Sequence, residues 1–216
     1  MKIDQPKVPK QLTQRSFEDI VREEDPELSN CQITNSAFDG EHLDRVSLSS
    51  IIVTNSSFQN TSFPNIQLTD VVFEKCDFSN ADLSKASIHR VQFKECKLLG
   101  VNFADSRFGN VLFENSILSF STFAVSNLNK VLFKSSLLKN ADFYNCQFVK
   151  TKYQTSNIDG VNFEETSLKG VDLSTSEFQE LTVTMESLRG CEVSAQQAIT
   201  FASLMGLIIK EDELNL

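Results

Sequence analysis

The sequence has no tryptophan, two tyrosines, two histidines and four prolines among 216 residues. It also lacks any apolar run approaching the roughly 18 residues of a transmembrane helix, so a soluble protein that does not enter a membrane is expected. The opening stretch, MKIDQPKVPKQLTQ, is polar and holds two prolines, unlike a secretory signal, and a cytoplasmic location follows. Cations are short: 20 Lys and Arg face 29 Asp and Glu, giving a net charge of −9, so direct nucleic acid binding is not expected. The five cysteines are odd in number and show no CxxC or Cys/His spacing of a metal or redox site. There is no Ser/His/Asp arrangement, glycine-rich phosphate loop or metal-ligand cluster, so no catalytic residue, cofactor or metal is assigned. The two histidines, His42 and His89, are read as surface residues.

What is present in excess is phenylalanine, 18 residues, and it is periodic. From Ile33 to Val193 every fifth residue is large and apolar, 33 positions without a break, and 15 of the Phe lie on this frame. With 40% of the chain hydrophobic, chance alignment has a probability of roughly 10⁻¹³. Period five fits neither the 3.6 of a helix nor the 2 of a plain strand.

Two residues before each centre the side chain is mostly small, as at Ser36, Val46, Ala81 and Val101, with Glu41, Ile51, Ile66, Leu181 and Glu186 as exceptions. All five cysteines (31, 76, 96, 146 and 191) fall in this class, which marks them as small inward hydrophobes. Cys76 and Cys96 are placed to approach each other across successive turns. Two residues after each centre stand five of the seven Gly and nine Asn, the types that best tolerate a positive φ. Each pentapeptide therefore reads as a short extended side followed by a corner.

Segments such as Ala81-Asp82-Leu83-Ser84-Lys85, Val101-Asn102-Phe103, Ala141-Asp142-Phe143 and Val171-Asp172-Leu173 resemble the A(D/N)LXX motif of the pentapeptide-repeat family. The resemblance implies an all-β solenoid, a right-handed quadrilateral β-helix with 20 residues per coil. Phe spacing does not decide the coil length, since framed pairs occur eight times each at separations of 15 and 20. With about 165 residues in frame the rod would have about eight coils and a length of roughly 40 Å. A 20-residue coil stacks Phe73, Phe93, Phe113, Phe133 and Tyr153 in one interior ladder and Phe103, Phe123, Phe143 and Phe163 in another.

Short helical caps are expected at both ends, because open strand edges invite aggregation. Residues 1–30 are read as an N-terminal cap folded over the first coil, with Phe17 and Ile20 as anchors, residues 31–193 as the β-helix, and 194–216 as the C-terminal cap. Ser194 and Gln197 form a capping box, Ala198, Ile199, Ala202 and Met205 the apolar helical face, and Gly206 the residue after the helix. The apolar content of this end suits either a simple cap or a homodimer seam, with Ile199, Phe201, Met205, Leu207 and Ile209 as interface candidates.

From Cys31 to Lys152 there are 11 acidic and 12 basic residues, but from Tyr153 to Ala195 only Lys169 and Arg189 oppose eight acids. Those eight, Asp159, Glu164, Glu165, Asp172, Glu177, Glu180, Glu186 and Glu192, are either a solubilising surface or a docking surface for a basic partner. Leu112, Ile117, Leu132 and Leu137 occupy outward positions and make an apolar patch, tolerated or used for contact.

The uninterrupted repeat and the ending Ser194-Ala-Gln-Gln-Ala-Ile-Thr-Phe-Ala-Ser-Leu-Met-Gly-Leu-Ile-Ile are similar to the Qnr branch of the family, particularly its chromosomal Gram-positive members. That resemblance implies a DNA mimic that dimerises through its C-terminal end, binds DNA gyrase and topoisomerase IV and modulates fluoroquinolone susceptibility. Looped Qnr proteins carry insertions that break the frame; none lies between Ile33 and Val193, which favours inhibition of the topoisomerase over its protection.

Overall fold

An apolar residue at every fifth place and a left-handed corner between such residues wind the chain into a square tube. The computed structural model describes residues 1–22, 26–204 and 206–210. It is a parallel β-solenoid of about eight turns. Register partners in successive turns lie 20 residues apart, as in Leu48↔Leu68, Phe73↔Phe93 and Phe113↔Phe133, which decides the coil length the Phe spacing left open.

Corner residues from Asn30 to Glu165 hold φ between 50° and 61°, and the corner glycines between 66° and 80°. Asn and Gly adopt this conformation readily, yet Lys85, Arg90, Ser135 and Thr155 also take it. Cross-turn hydrogen bonding imposes the corner whatever the residue, overriding local preference.

Both predicted ladders form. Phe73, Phe93, Phe113, Phe133 and Tyr153 stack with ring centroids 5.0–5.2 Å apart and planes within 12° of parallel. Phe103, Phe123, Phe143 and Phe163 stack at 4.7–5.6 Å, and the two ladders meet edge to face. Inward serines are satisfied within the wall: Ser136 Oγ donates to the carbonyl of Phe113 and accepts from the amide of Ser116. A small polar residue is tolerated at the inward position because its hydroxyl bridges neighbouring turns.

The N-terminus departs from the expected cap. The frame extends one repeat further back, since Leu28 is buried and pairs with Leu48. Phe17 and Ile20 do close the first coil, Phe17 packing 4.6 Å from Phe38 and 4.9 Å from Phe58. The first dozen residues instead run back along one outer side of the rod. Met1 lies in a cleft with Leu132 and Lys152, the Asp4 amide donates to Asn110 Oδ1, Gln92 bonds Gln5, and the Lys7 amide donates to Asp70 Oδ1 at 2.8 Å. Thr13 then pairs with Cys31. Ile3, between the first two anchors, is 9% exposed, and Leu112 and Leu132 on that side are half-buried. With Pro6 and Pro9 the arm has no helical or strand period to announce it.

At the other end the last turn is interrupted by a short helix, α1 (Met185–Leu188), which the repeat frame does not foretell. Thr184 caps it by accepting from the Ser187 amide. The terminal helix α2 spans Ala195–Leu204. Its capping box forms, with Gln197 N–H to Ser194 Oγ at 3.2 Å and Ser194 N–H to Gln197 Oε1 at 2.8 Å. The buried face is not the one expected from Ala198 and Ile199. Gln197 and Phe201 turn inward: Gln197 Nε2 donates to the carbonyls of Leu173 and Ser176, both at 2.8 Å, and Phe201 packs 5.3 Å from Phe178. The end of a solenoid presents unpaired carbonyls, so a polar side chain that satisfies two of them belongs inside. Gly206, at φ +77°, and Leu207 then complete a Schellman turn on Ser203 and Ala202.

Candidate functional site

The groups most often used in chemistry have structural surroundings here. Cys31, Cys76, Cys96 and Cys146 are buried and Cys191 is half-buried, all as free thiols. Desolvation pushes the Cys146 thiol up to about 12 and that of Cys191 to about 11, which holds both protonated and unreactive at neutral pH. Cys76 and Cys96 do come together across one turn, as the cross-turn pairing of Asp77 with Lys97 requires. His89 is exposed and its ring Nε2 accepts from Arg90 Nη1 at 2.6 Å.

The eight acidic residues singled out in the sequence form a collar around the last turns rather than a stripe on one side. Asp172 and Glu192 stack on the side that carries Lys152. Glu177 stacks above Asn157 on the next side, with Asp159 close by. Glu164 follows Asn162 on the third, Glu165 and Glu180 stand near corners, and Glu186 lies on α1.

Their environments separate two of them from the rest. Asp159 Oδ1 accepts the amides of Gln179 and Glu180, and Asp172 Oδ1 accepts the amide and hydroxyl of Ser174; these bonds hold both carboxyls below the usual range. Both therefore shape turns as well as carrying charge. Asp159 is also 4.0 Å from Lys139, and Glu186 is 3.6 Å from Arg189. Glu164, Glu165, Glu177, Glu180 and Glu192 are exposed and pair with no cation among the described residues.

Elsewhere on the rod opposite charges 20 residues apart sit over one another. Lys97 reaches Asp77 at 3.2 Å, Lys134 reaches Glu114 at 2.6 Å, and Arg90 binds Asp70 through Nε and Nη2 at 2.6 and 2.7 Å. In the collar Asp172 and Glu192 are like charges in register, an arrangement that opposes pairing.

The candidate dimer residues are divided by the structure. Ile199, Leu207 and Ile209 are exposed, as is Ile208 at 91%. Phe201 is 7% exposed and spends its ring on its own Phe178, so it closes the coil rather than facing outward. Met205 lies outside the described residues.

Residues 66–143 and 86–163 match the family model described as a pentapeptide repeat region. The chain is a pentapeptide-repeat protein. Among solved structures, a trypsin-treated form of QnrB1, a plasmid-mediated fluoroquinolone resistance protein, is 20% identical over 92% of this chain and 97% of its own, with a TM-score of 0.49. HetL, a pentapeptide-repeat protein involved in heterocyst differentiation regulation from the cyanobacterium Nostoc sp. strain PCC 7120, is 15% identical over 74% of this chain and 85% of its own, with a TM-score of 0.41. A thylakoid-lumen pentapeptide-repeat protein from Arabidopsis thaliana is 20% identical over 54% of this chain and 67% of its own, with a TM-score of 0.21. No curated protein matches the chain. No described helix is long and apolar enough to cross a membrane.

Proposed function

We propose that this pentapeptide-repeat rod is a non-enzymatic DNA mimic whose acidic collar docks in the DNA-binding saddle of a type II topoisomerase, DNA gyrase or topoisomerase IV, and modulates fluoroquinolone susceptibility. The observation that carries this reading is the unneutralised charge of the last turns. Residues 153–195 hold a net −6 over about two turns, or roughly 10 Å of rod. Duplex DNA carries about six charges over the same length. The turns before the collar, with 11 acids against 12 cations, have no such likeness. Stacking Asp172 on Glu192 works against the fold, which is understandable where a partner's cations supply the missing half of the pair. The exposed Ile199, Leu207, Ile208 and Ile209 at the end of the rod support a homodimer joined there, which would double the length of the mimic.

The test is a supercoiling assay with purified gyrase, run beside sedimentation of the same protein. Wild type is expected to sediment as a dimer and to inhibit supercoiling. Replacing Glu165, Glu177 and Glu192 together by Lys is expected to raise the inhibitory concentration by at least about tenfold with the melting temperature held, since none of the three supports a turn. Inhibition that survives this triple reversal sinks the assignment of the collar. A wild-type protein without effect on either topoisomerase sinks the topoisomerase reading and leaves a binding module for another partner.

A further inference from the structure

Among the described residues, every exposed large hydrophobic between Lys2 and Thr184 falls between positions 117 and 149. They are Ile117, Phe120, Val125, Leu137, Tyr144 and Val149. The pair Leu112 and Leu132, grouped with Ile117 and Leu137 in the sequence, is half-buried on the side where the N-terminal arm lies, so the apolar surface is centred elsewhere.

Its centre is the side of the square bounded by the corners Phe120 and Val125. Phe120 is 63% exposed, Val125 54% and Tyr144 42%. Tyr144 stands one turn above Ala124, its carbonyl accepting the Val125 amide at 2.9 Å. Of the 25 described non-glycine residues with positive φ, 23 are polar or charged; the other two are Phe120 at 60° and Val125 at 61°. A β-branched residue is among the least suited to that conformation, and a corner offers no interior for either side chain to fill. Asn, which serves at the equivalent corners Asn140 and Asn145 one turn later, would suit the fold better. Two neighbouring corners thus carry residues that neither the backbone nor the core asks for.

The same two corners lead into the collar. Above Phe120 come Asn140, whose amide bonds the Asp159 carbonyl, and Gly160, whose amide bonds that of Glu180. Above Val125 come Asn145, bonded to Glu164, and then Glu165. Four of the eight collar acids therefore continue the apolar side toward the C-terminal end, and Lys139 is the cation beside them, 4.0 Å from Asp159.

We infer that the side between Phe120 and Val125 is a docking surface for a protein segment that is basic at one end and apolar at the other. Its apolar side chains cover Phe120, Val125 and Tyr144 while its cations meet Glu164, Glu165 and Glu180. Charge complementarity chooses this occupant: the acidic flank repels nucleic acid and a second acidic copy, and attracts a cationic peptide. The inference rests on reading the collar as a docking surface, and adds that charge alone does not make the site.

The experiment compares two fluorescent synthetic peptides of equal length and equal positive charge, one of Lys and Leu and one of Lys and Gly, by anisotropy on the full-length protein. Wild type is expected to bind the Lys–Leu peptide at least about tenfold more tightly than the Lys–Gly peptide. Phe120→Asn with Val125→Asn is expected to abolish that preference while leaving the weaker, salt-sensitive binding of both peptides in place. Because Asn suits a positive φ, this variant should melt at the wild-type temperature or above, so loss of preference is not loss of fold. A wild type without preference, or a double variant that keeps it, overturns the inference. Gyrase inhibition is read separately: lost preference with no effect of wild type on gyrase retires the topoisomerase and keeps the site, whereas inhibition without any peptide preference does the reverse.

Discussion

The turns between Leu48 and Tyr153 and those beyond Tyr153 share one backbone and differ in almost everything attached to it. Inside the first region one Phe ladder runs from Phe73 to Phe133 and another from Phe103 to Phe143, ending on Phe163; in the second, the column of Phe113 and Phe133 continues as Tyr153, Leu173 and Val193. Outside the first, cross-turn pairs such as Lys134–Glu114 and Lys97–Asp77 cancel charge; outside the second, Asp172 meets Glu192. The interior answers to packing between turns and is strongest where no end is near, while the exterior near the end is released from neutralisation. A solenoid allows this because each turn is stabilised by its neighbours alone.

The largest effect that would break the comparison lies inside. Phe113 is fully buried and stacks on Phe93 and Phe133 at 5.0 Å, with Phe103 and Phe123 at its edges. Phe113→Ala is expected to cost about 4 kcal/mol, and Leu173→Ala, in the same column of the C-terminal region, about 2–3 kcal/mol. Urea unfolding of both variants measures the difference. Equal losses would mean that the aromatic ladder adds nothing beyond volume.

The second contrast concerns the outer side that the N-terminal arm covers. Asp70 is buried, accepts the Lys7 amide and Arg90 Nε through Oδ1, and takes Arg90 Nη2 on Oδ2. The Arg90 guanidinium, followed by the Lys7 amide, holds its carboxyl below the usual range against the opposing effect of burial. Asp70→Ala is expected to cost about 2 kcal/mol and to open Lys7 and Lys10 to trypsin, with the collar unaffected. The sign with pH follows: a depressed carboxyl stabilises fully above its unfolded value near about 4 and loses that contribution as pH falls through the folded value. NMR signals of residues 1–12 should therefore sharpen only in acid. Sharpening between pH 7 and 5 would place the latch elsewhere.

Much of this was legible in the sequence because period five is a direct image of the wall. Each ladder residue, each thiol beside it and each Asn or Gly corner could be assigned from its place in the frame. The coil length could not, since rings on adjacent sides of successive turns also meet, as Phe78 and Phe93 do at 6.1 Å, so Phe spacings of 15 and 20 serve equally. The arm escaped because its contacts are backbone amides to Asp70 and Asn110, which leave no periodic trace. The face of α2 was misjudged because Gln197 looks polar on paper, yet two carbonyls at the end of the tube need a donor. Phe120 and Val125 passed unremarked among the corner residues, because only their exposure shows that no packing explains them.

The smallest and sharpest effect belongs to Tyr153, at the border of the two regions. Its ring continues the ladder 5.0 Å above Phe133 and meets Phe143 and Phe163 edge-on, as a Phe there would. Its hydroxyl is buried with no hydrogen-bond partner among the described residues, and burial pushes its pKa well above the ordinary tyrosine value. A buried unsatisfied hydroxyl works against the fold, so Tyr153→Phe is expected to stabilise by about 1 kcal/mol. The raised pKa adds a second reading. Below the ordinary value near about 10 both states keep the proton and the tyrosine adds no pH dependence. As pH rises above it, the unfolded chain ionises while the folded hydroxyl does not, so wild type loses stability that the Phe variant keeps. The gap between the two in urea unfolding should thus be constant from pH 6 to 9 and widen above about 10. A constant gap throughout would mean that water reaches the hydroxyl, and that the aromatic region ends one turn earlier than its rings suggest.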